Sequence, residues 1–171
     1  MSVDLNFSYY LDEIVTEEVV EKLIKFLKEK KFEVYLSVNR GASRIKDVKE
    51  ILNKFTLLSK EKDKSLLLFA FNDDISQNLH FILFKEAKVL IFLTSDPSRV
   101  FTGEALLPEE EAERKRKNIL NKIEKFSVDL FNFLKPVYAN AEQDMVENFL
   151  LQEGKLKEGY DNKLPKIKHL F

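Results

Sequence analysis

The chain has 171 residues, of which 44% are hydrophobic, 12% aromatic and 33% charged, enough apolar surface to bury a core and too much for a disordered polymer. Twenty-eight basic residues against 29 acidic ones leave a formal charge of −1, which excludes the basic footprint of a non-specific nucleic-acid binder. With no cysteine, disulfides, thiolate metal sites and cysteine nucleophiles are excluded together.

The opening residues, Met1 to Phe7, have neither the basic stretch nor the apolar core of a secretory signal. No window reaches the ~18 apolar residues of a membrane span, so a cytoplasmic location is expected. Leu5 to Leu11 alternates with the period of a half-buried strand. From Thr16, a plausible N-cap, Val19, Val20, Leu23, Ile24 and Leu27 recur at helical spacing, with Glu17 and Glu18 favoured by the helix dipole. Phe32 to Val38 alternates again, so residues 5–38 read as a β-α-β unit with parallel strands.

After Asn39-Arg40-Gly41-Ala42, Ser43 can cap a helix with Ile45, Val48, Ile51, Leu52 and Phe55 as its apolar face. Three strands follow, at Ser65 to Phe71, Asn78 to Phe84 and Lys88 to Thr94, read as an antiparallel meander. The first and third are continuously apolar, as in strands that are central or covered on both faces. Pro108 and three glutamates open a helix of about 25 residues that Pro136 ends. A shorter helix is expected from Ala141 to Gln152, with Met145, Val146, Phe149 and Leu150 buried. The segment 154–171 reads as a docked irregular tail. The expected fold is thus a single α+β domain over residues 1–171, β-α-β-α-β-β-β-α-α, with helices packed on a mixed five-stranded sheet.

Chemistry-bearing residues are sparse. His80 and His169 are the two histidines. His80 shares a strand face with Ile82 and Phe84, and Asp73 or Asp74 is its nearest carboxylate candidate; a structural histidine is the simpler reading. Neither a metal-ligand spacing nor a Gly-x-Ser-x-Gly elbow occurs, so no metal, cofactor or catalytic residue is assigned. An anion or small-molecule site could be built from Arg40, Gly41, Ser43 and Arg44, at an expected strand-to-helix junction, together with Asp96 and Arg99 in the polar loop 94–104. Glu109 to Lys117 reads as a helix opening whose bases pair with its acids; Arg114 to Lys117 could touch phosphates, but no aromatic platform accompanies them, so nucleic acid is not favoured. Tyr9, Tyr35, Phe101 and Tyr138 are candidates for exposed aromatics in a protein-binding patch, with Phe7, Tyr10 and Tyr160 as further candidates for partial exposure.

The stretch Leu130-Phe131-Asn132-Phe133-Leu134-Lys135-Pro136-Val137-Tyr138-Ala139-Asn140-Ala141-Glu142 resembles the Leu-x-Pro-x-Tyr-small corner of small α+β immunity proteins of bacterial toxin systems and related uncharacterised families. Asn162 to Ile167 is loosely similar to their C-terminal segments. The likeness covers some 40 residues and transfers no functional residue. It implies a prokaryotic, non-enzymatic protein-binding module, in the immunity or antitoxin class, whose partner is a toxin or a second copy. The alternative from the residues is a small-molecule or phosphate-ester binding protein or enzyme using the 39–44 and 94–104 loops.

Overall fold

A computed structural model describes residues 4–38, 43–57, 65–84, 87–95, 107–143, 149–152 and 155–156. Its elements, in chain order, are β1 (Asp4–Tyr10), α1 (Glu17–Glu29), β2 (Glu33–Val38), β3 (Ser43–Ile45), α2 (Val48–Leu57), β4 (Ser65–Phe71), β5 (Asn78–Phe84), β6 (Val89–Ser95), α3 (Glu109–Leu134), β7 (Tyr138–Gln143), β8 (Phe149–Gln152) and β9 (Lys155–Leu156). The class is α+β and β4, β5 and β6 form the expected antiparallel meander, whereas the strands are more than the five expected. The chain groups into two compact units, Tyr10–Leu93 and Met1–Tyr9 with Thr94–Phe171.

In the unit Tyr10–Leu93 the strand order is β3-β2-β4-β5-β6, and every neighbouring pair is antiparallel. β1 and β2, expected as the two strands of a β-α-β unit over residues 5–38, are not neighbours, because β3 and β4 occupy both hydrogen-bonding edges of β2. The expected helix start at Ser43 is displaced for the same reason. Ser43 to Ile45 fold back on β2, with Leu36 opposite Ile45 and Ser37 opposite Arg44. The helix begins after Asp47, whose Oδ1 accepts the Glu50 N–H at 2.9 Å. Asp47-x-x-Glu50 has the acid spacing of a capping box, a stronger start signal than Ser43.

The stripe of α1, with Val20, Leu23, Ile24 and Leu27 buried, packs beside α2, which buries Ile51 and Phe55. Thr56 of α2 donates its hydroxyl to the Glu17 carboxylate in the first turn of α1. Helix α1 ends in a Schellman arrangement: Lys31 N–H donates to the Lys28 carbonyl at 2.9 Å and Phe32 N–H to the Leu27 carbonyl at 3.0 Å. This turn sends the chain straight into β2. Between β4 and β5, the Asn72 side chain accepts the Ile75 N–H at 2.9 Å, capping the turn between two strands that pair along their full seven residues.

In the other unit, α3 is 26 residues long and buries Ala112, Ile123, Phe126, Ser127, Leu130 and Phe131. Pro108 precedes its first turn, which carries Glu109, Glu110 and Glu111. Lys135 closes it in the left-handed region, φ 48°, and Pro136 follows, so the helix cannot continue. The expected helix from Ala141 to Gln152 is replaced by strands: β7 pairs antiparallel with β8, and β8 with β9. Strand pairing overrides the helical spacing of Phe149 and Leu150, and it also takes Lys155 and Leu156 out of the expected irregular tail. Residues 157–171 lie outside the described residues.

Candidate functional site

The sheet of the Tyr10–Leu93 unit has two unlike faces. On one, Val34, Leu36, Leu66, Leu68, Ala70, Leu79, Phe81, Leu83, Leu90 and Phe92 are all buried, seven of them to 0% exposure. Phe81 and Phe92 stack there with ring centroids 5.3 Å apart. Alternation then forces the intervening residues onto the opposite face. An antiparallel sheet with one wet face normally carries polar side chains at those positions. Here they are apolar.

Strand register assembles this second face into rows. Tyr35 lies opposite Phe69, Phe69 opposite His80 and His80 opposite Leu93, crossing β2, β4, β5 and β6. One step along the strands, Leu67, Ile82 and Ile91 form a parallel row. Leu67 is 37% exposed in the middle of the face, and Phe69, His80, Ile82, Ile91 and Leu93 are half-buried. The rings are ordered: Tyr35 and Phe69 stack at 5.4 Å with planes 7° apart, and Phe69 meets His80 edge-on at 4.5 Å. The Arg44 guanidinium lies over the Tyr35 ring at 4.7 Å. This cation–π contact extends the row to β3.

Among the described residues of these strands, charge on this face lies at the β2–β3 edge. Glu33 sits opposite Phe71 at the start of β2 and accepts an ion pair from Lys46 at 3.5 Å. No Asp, Glu, Lys or Arg occurs within β4, β5 or β6. Such a surface is suited to excluding water against another apolar surface.

The residues singled out from the sequence are distributed as follows. Tyr35 lies on the open face, 9% exposed beneath Arg44. Tyr9 and Phe7 are not exposed as expected but fully buried, because the Leu5, Phe7 and Tyr9 side of β1 is turned inward. Ser43 and Arg44 lie on β3 and not at a helix start. Arg40, Gly41, Asp96, Arg99 and Phe101 lie outside the described residues, as does the side chain of Tyr138. His80 is placed between Phe69 and Leu93, in an apolar row. Leu67, Phe69 and Ile91 join Ile82 and His80 on this face, a grouping that only the register reveals.

The basic run on α3 forms a separate, mixed surface. Arg114, Lys115 and Lys117 line a shallow depression with Glu111, Asn118 and Asn121, all exposed on the same helix. Among the described residues no group of three or more His, Cys, Asp or Glu side chains is placed to hold a metal ion. Nor is any described helix long and apolar enough to cross a membrane.

The chain matches no family model, no curated protein and no solved structure.

Proposed function

We propose that this chain is a non-enzymatic protein-binding module that works through the open face of the β3-β2-β4-β5-β6 sheet. The observation that carries the reading is the row Leu67, Ile82 and Ile91, flanked by Phe69 and His80: large apolar side chains at positions where a solvated sheet would place polar ones. Leaving them in water costs roughly 25 cal/mol for each Å² of apolar area, which a partner surface recovers. Inhibition of a toxin, in the manner of an immunity or antitoxin-like protein, is one use of such a face and rests on the resemblance of the 130–142 stretch alone. A cytoplasmic setting belongs to the same reading, and a cysteine-free chain needs no oxidising compartment.

A photo-crosslinking amino acid placed at Leu67 or Ile82, with Leu57 on α2 as an exposed control, tests the reading in the native host. Adducts with a protein are expected from the sheet positions and not from the control. Equal adducts from all three positions, or none from any, would sink it.

A further inference from the structure

We propose that the exposed face of α3 over residues 114–125 docks a short, extended acidic segment of a protein partner. This surface is distinct from the open sheet face, and either can fail without the other. Over these residues the helix carries Arg114, Lys115, Arg116, Lys117, Lys122 and Lys125 against one acid, Glu124, a local charge of +5 in a chain whose total is −1. At 1.5 Å per residue the stretch is about 18 Å long.

Helical spacing decides which of these side chains meet a partner. Ala112, Ile123, Phe126 and Leu130 are buried on one side of α3. Arg114, Asn118, Asn121 and Lys125 recur at helical spacing on the other side as one straight stripe, and all four are exposed. Lys115 and Lys117, also exposed, flank it, and the depression they share with Arg114, Asn118 and Asn121 has Glu111 at its N-terminal end. The spacing of the run led us to expect its bases to pair with the acids of the first turn. Among the described residues, however, Arg114, Lys115, Lys117 and Lys125 form no ion pair. Exposed pairs of that kind contribute little to stability, so the cations are left to water and stay open to carboxylates from outside.

The chemistry of the stripe selects the partner. A guanidinium grips a carboxylate through two parallel hydrogen bonds, and the lysines add point charges on either side. The Asn118 and Asn121 amides each offer a donor and an acceptor, which match the carbonyl and N–H groups of an extended main chain. A phosphate array supplies acceptors alone. Glu109, Glu110, Glu111 and Glu113 stand immediately before the stripe, so a polyanion running on along the helix, such as a nucleic acid, meets four like charges. An acidic segment therefore has to end within about 18 Å, the span of five or six extended residues. With so small a total charge the chain exerts no long-range pull on polyanions, and recognition is confined to this stripe.

The test titrates the full chain against a fluorescently labelled hexaglutamate peptide, followed by anisotropy at about 50 mM salt. Saturable binding is expected, weaker by at least about tenfold at about 300 mM salt. Arg114→Gln combined with Lys125→Gln should weaken it by at least about tenfold. Lys49→Gln combined with Lys54→Gln removes the same charge from exposed positions of α2 and should leave it within about twofold. No saturable binding up to about 1 mM peptide, or an equal loss in both double variants, overturns the proposal. So does a labelled DNA duplex that binds more tightly than the peptide through Arg114 and Lys125. Crosslinking from Leu67 and Ile82 reports separately on the sheet face, so failure at α3 leaves that reading standing.

Discussion

The Tyr9 hydroxyl donates to the backbone carbonyl of Ser127 at 2.9 Å, joining β1 to the middle of α3 across 118 residues of sequence. Both residues are fully buried, so water cannot replace either partner. Tyr9→Phe should therefore cost about 1–2 kcal/mol in urea unfolding, since it leaves a buried carbonyl one bond short. Burial pushes the Tyr9 phenol far above its ordinary value, more than the Ser127 bond lowers it. Because the folded value is raised, the neutral phenol's contribution is present below the unfolded value of about 10 and is lost as the pH climbs above it. Tyr9→Phe should accordingly unfold less steeply than the parent protein between about pH 10 and 12. An equal alkaline limb in both proteins would show that Tyr9 is not the group responsible.

Phe81 and Ile82 are adjacent in β5 yet belong to opposite faces. Phe81→Ala removes a ring that is 0% exposed and stacked on Phe92, and should cost about 3–5 kcal/mol. Ile82→Ala trims a half-buried side chain from the open face and should cost less than about 1 kcal/mol. Chemical denaturation of both variants at low micromolar concentration checks the pair. Comparable losses would mean that the open face is as fully packed as the buried one.

The same two residues show how far the sequence could be read. The bounds of β4 and β5 are those the alternation implies, and α3 starts and stops where Pro108 and Pro136 require. The continuous apolar run 66–71 reads as a central or doubly covered strand; β4 is central, between β2 and β5, with one face buried and the other open. What no single strand reveals is its neighbour. Tyr35, Phe69, His80 and Leu93 are 34, 11 and 13 residues apart, and only the antiparallel register aligns them. The errors have the same origin: Ser43 to Ile45 and Phe149 to Gln152 carry helical spacing that pairing with β2 and β7 overrides. Local capping chemistry misleads at one point, where the helix starts after Asp47 and not at Ser43.

Burial pushes the Glu124 carboxyl up to about 7. Between the unfolded value of 4.5 and about 7 the folded protein keeps a proton that the unfolded chain has released. Stability must then fall as the pH rises through that window. Glu124 is only half-buried, so solvent screening reduces the effect to the order of 1 kcal/mol. Glu124→Gln should match the parent at pH 4 and exceed it by about that amount at pH 8, while keeping the backbone carbonyl that accepts the Ser127 hydroxyl at 2.7 Å. Urea titrations at the two pH values decide it; a gain that is equal at both would assign the effect to packing and not to the proton.

Lys31 occupies the left-handed position of the turn that ends α1, with φ 64° and both hydrogen bonds of the Schellman arrangement in place. A side chain with a Cβ pays about 1–2 kcal/mol in that region, which glycine avoids at some cost in unfolded-state entropy. The Lys31 side chain is exposed, so its removal opens no cavity. Lys31→Gly should therefore raise stability by about 0.5–1 kcal/mol, whereas Lys31→Val, branched at Cβ, should lower it. The opposite order of the two variants in thermal unfolding would mean that Phe32, buried immediately after the turn, and not the backbone angle, sets the geometry of the entry into β2.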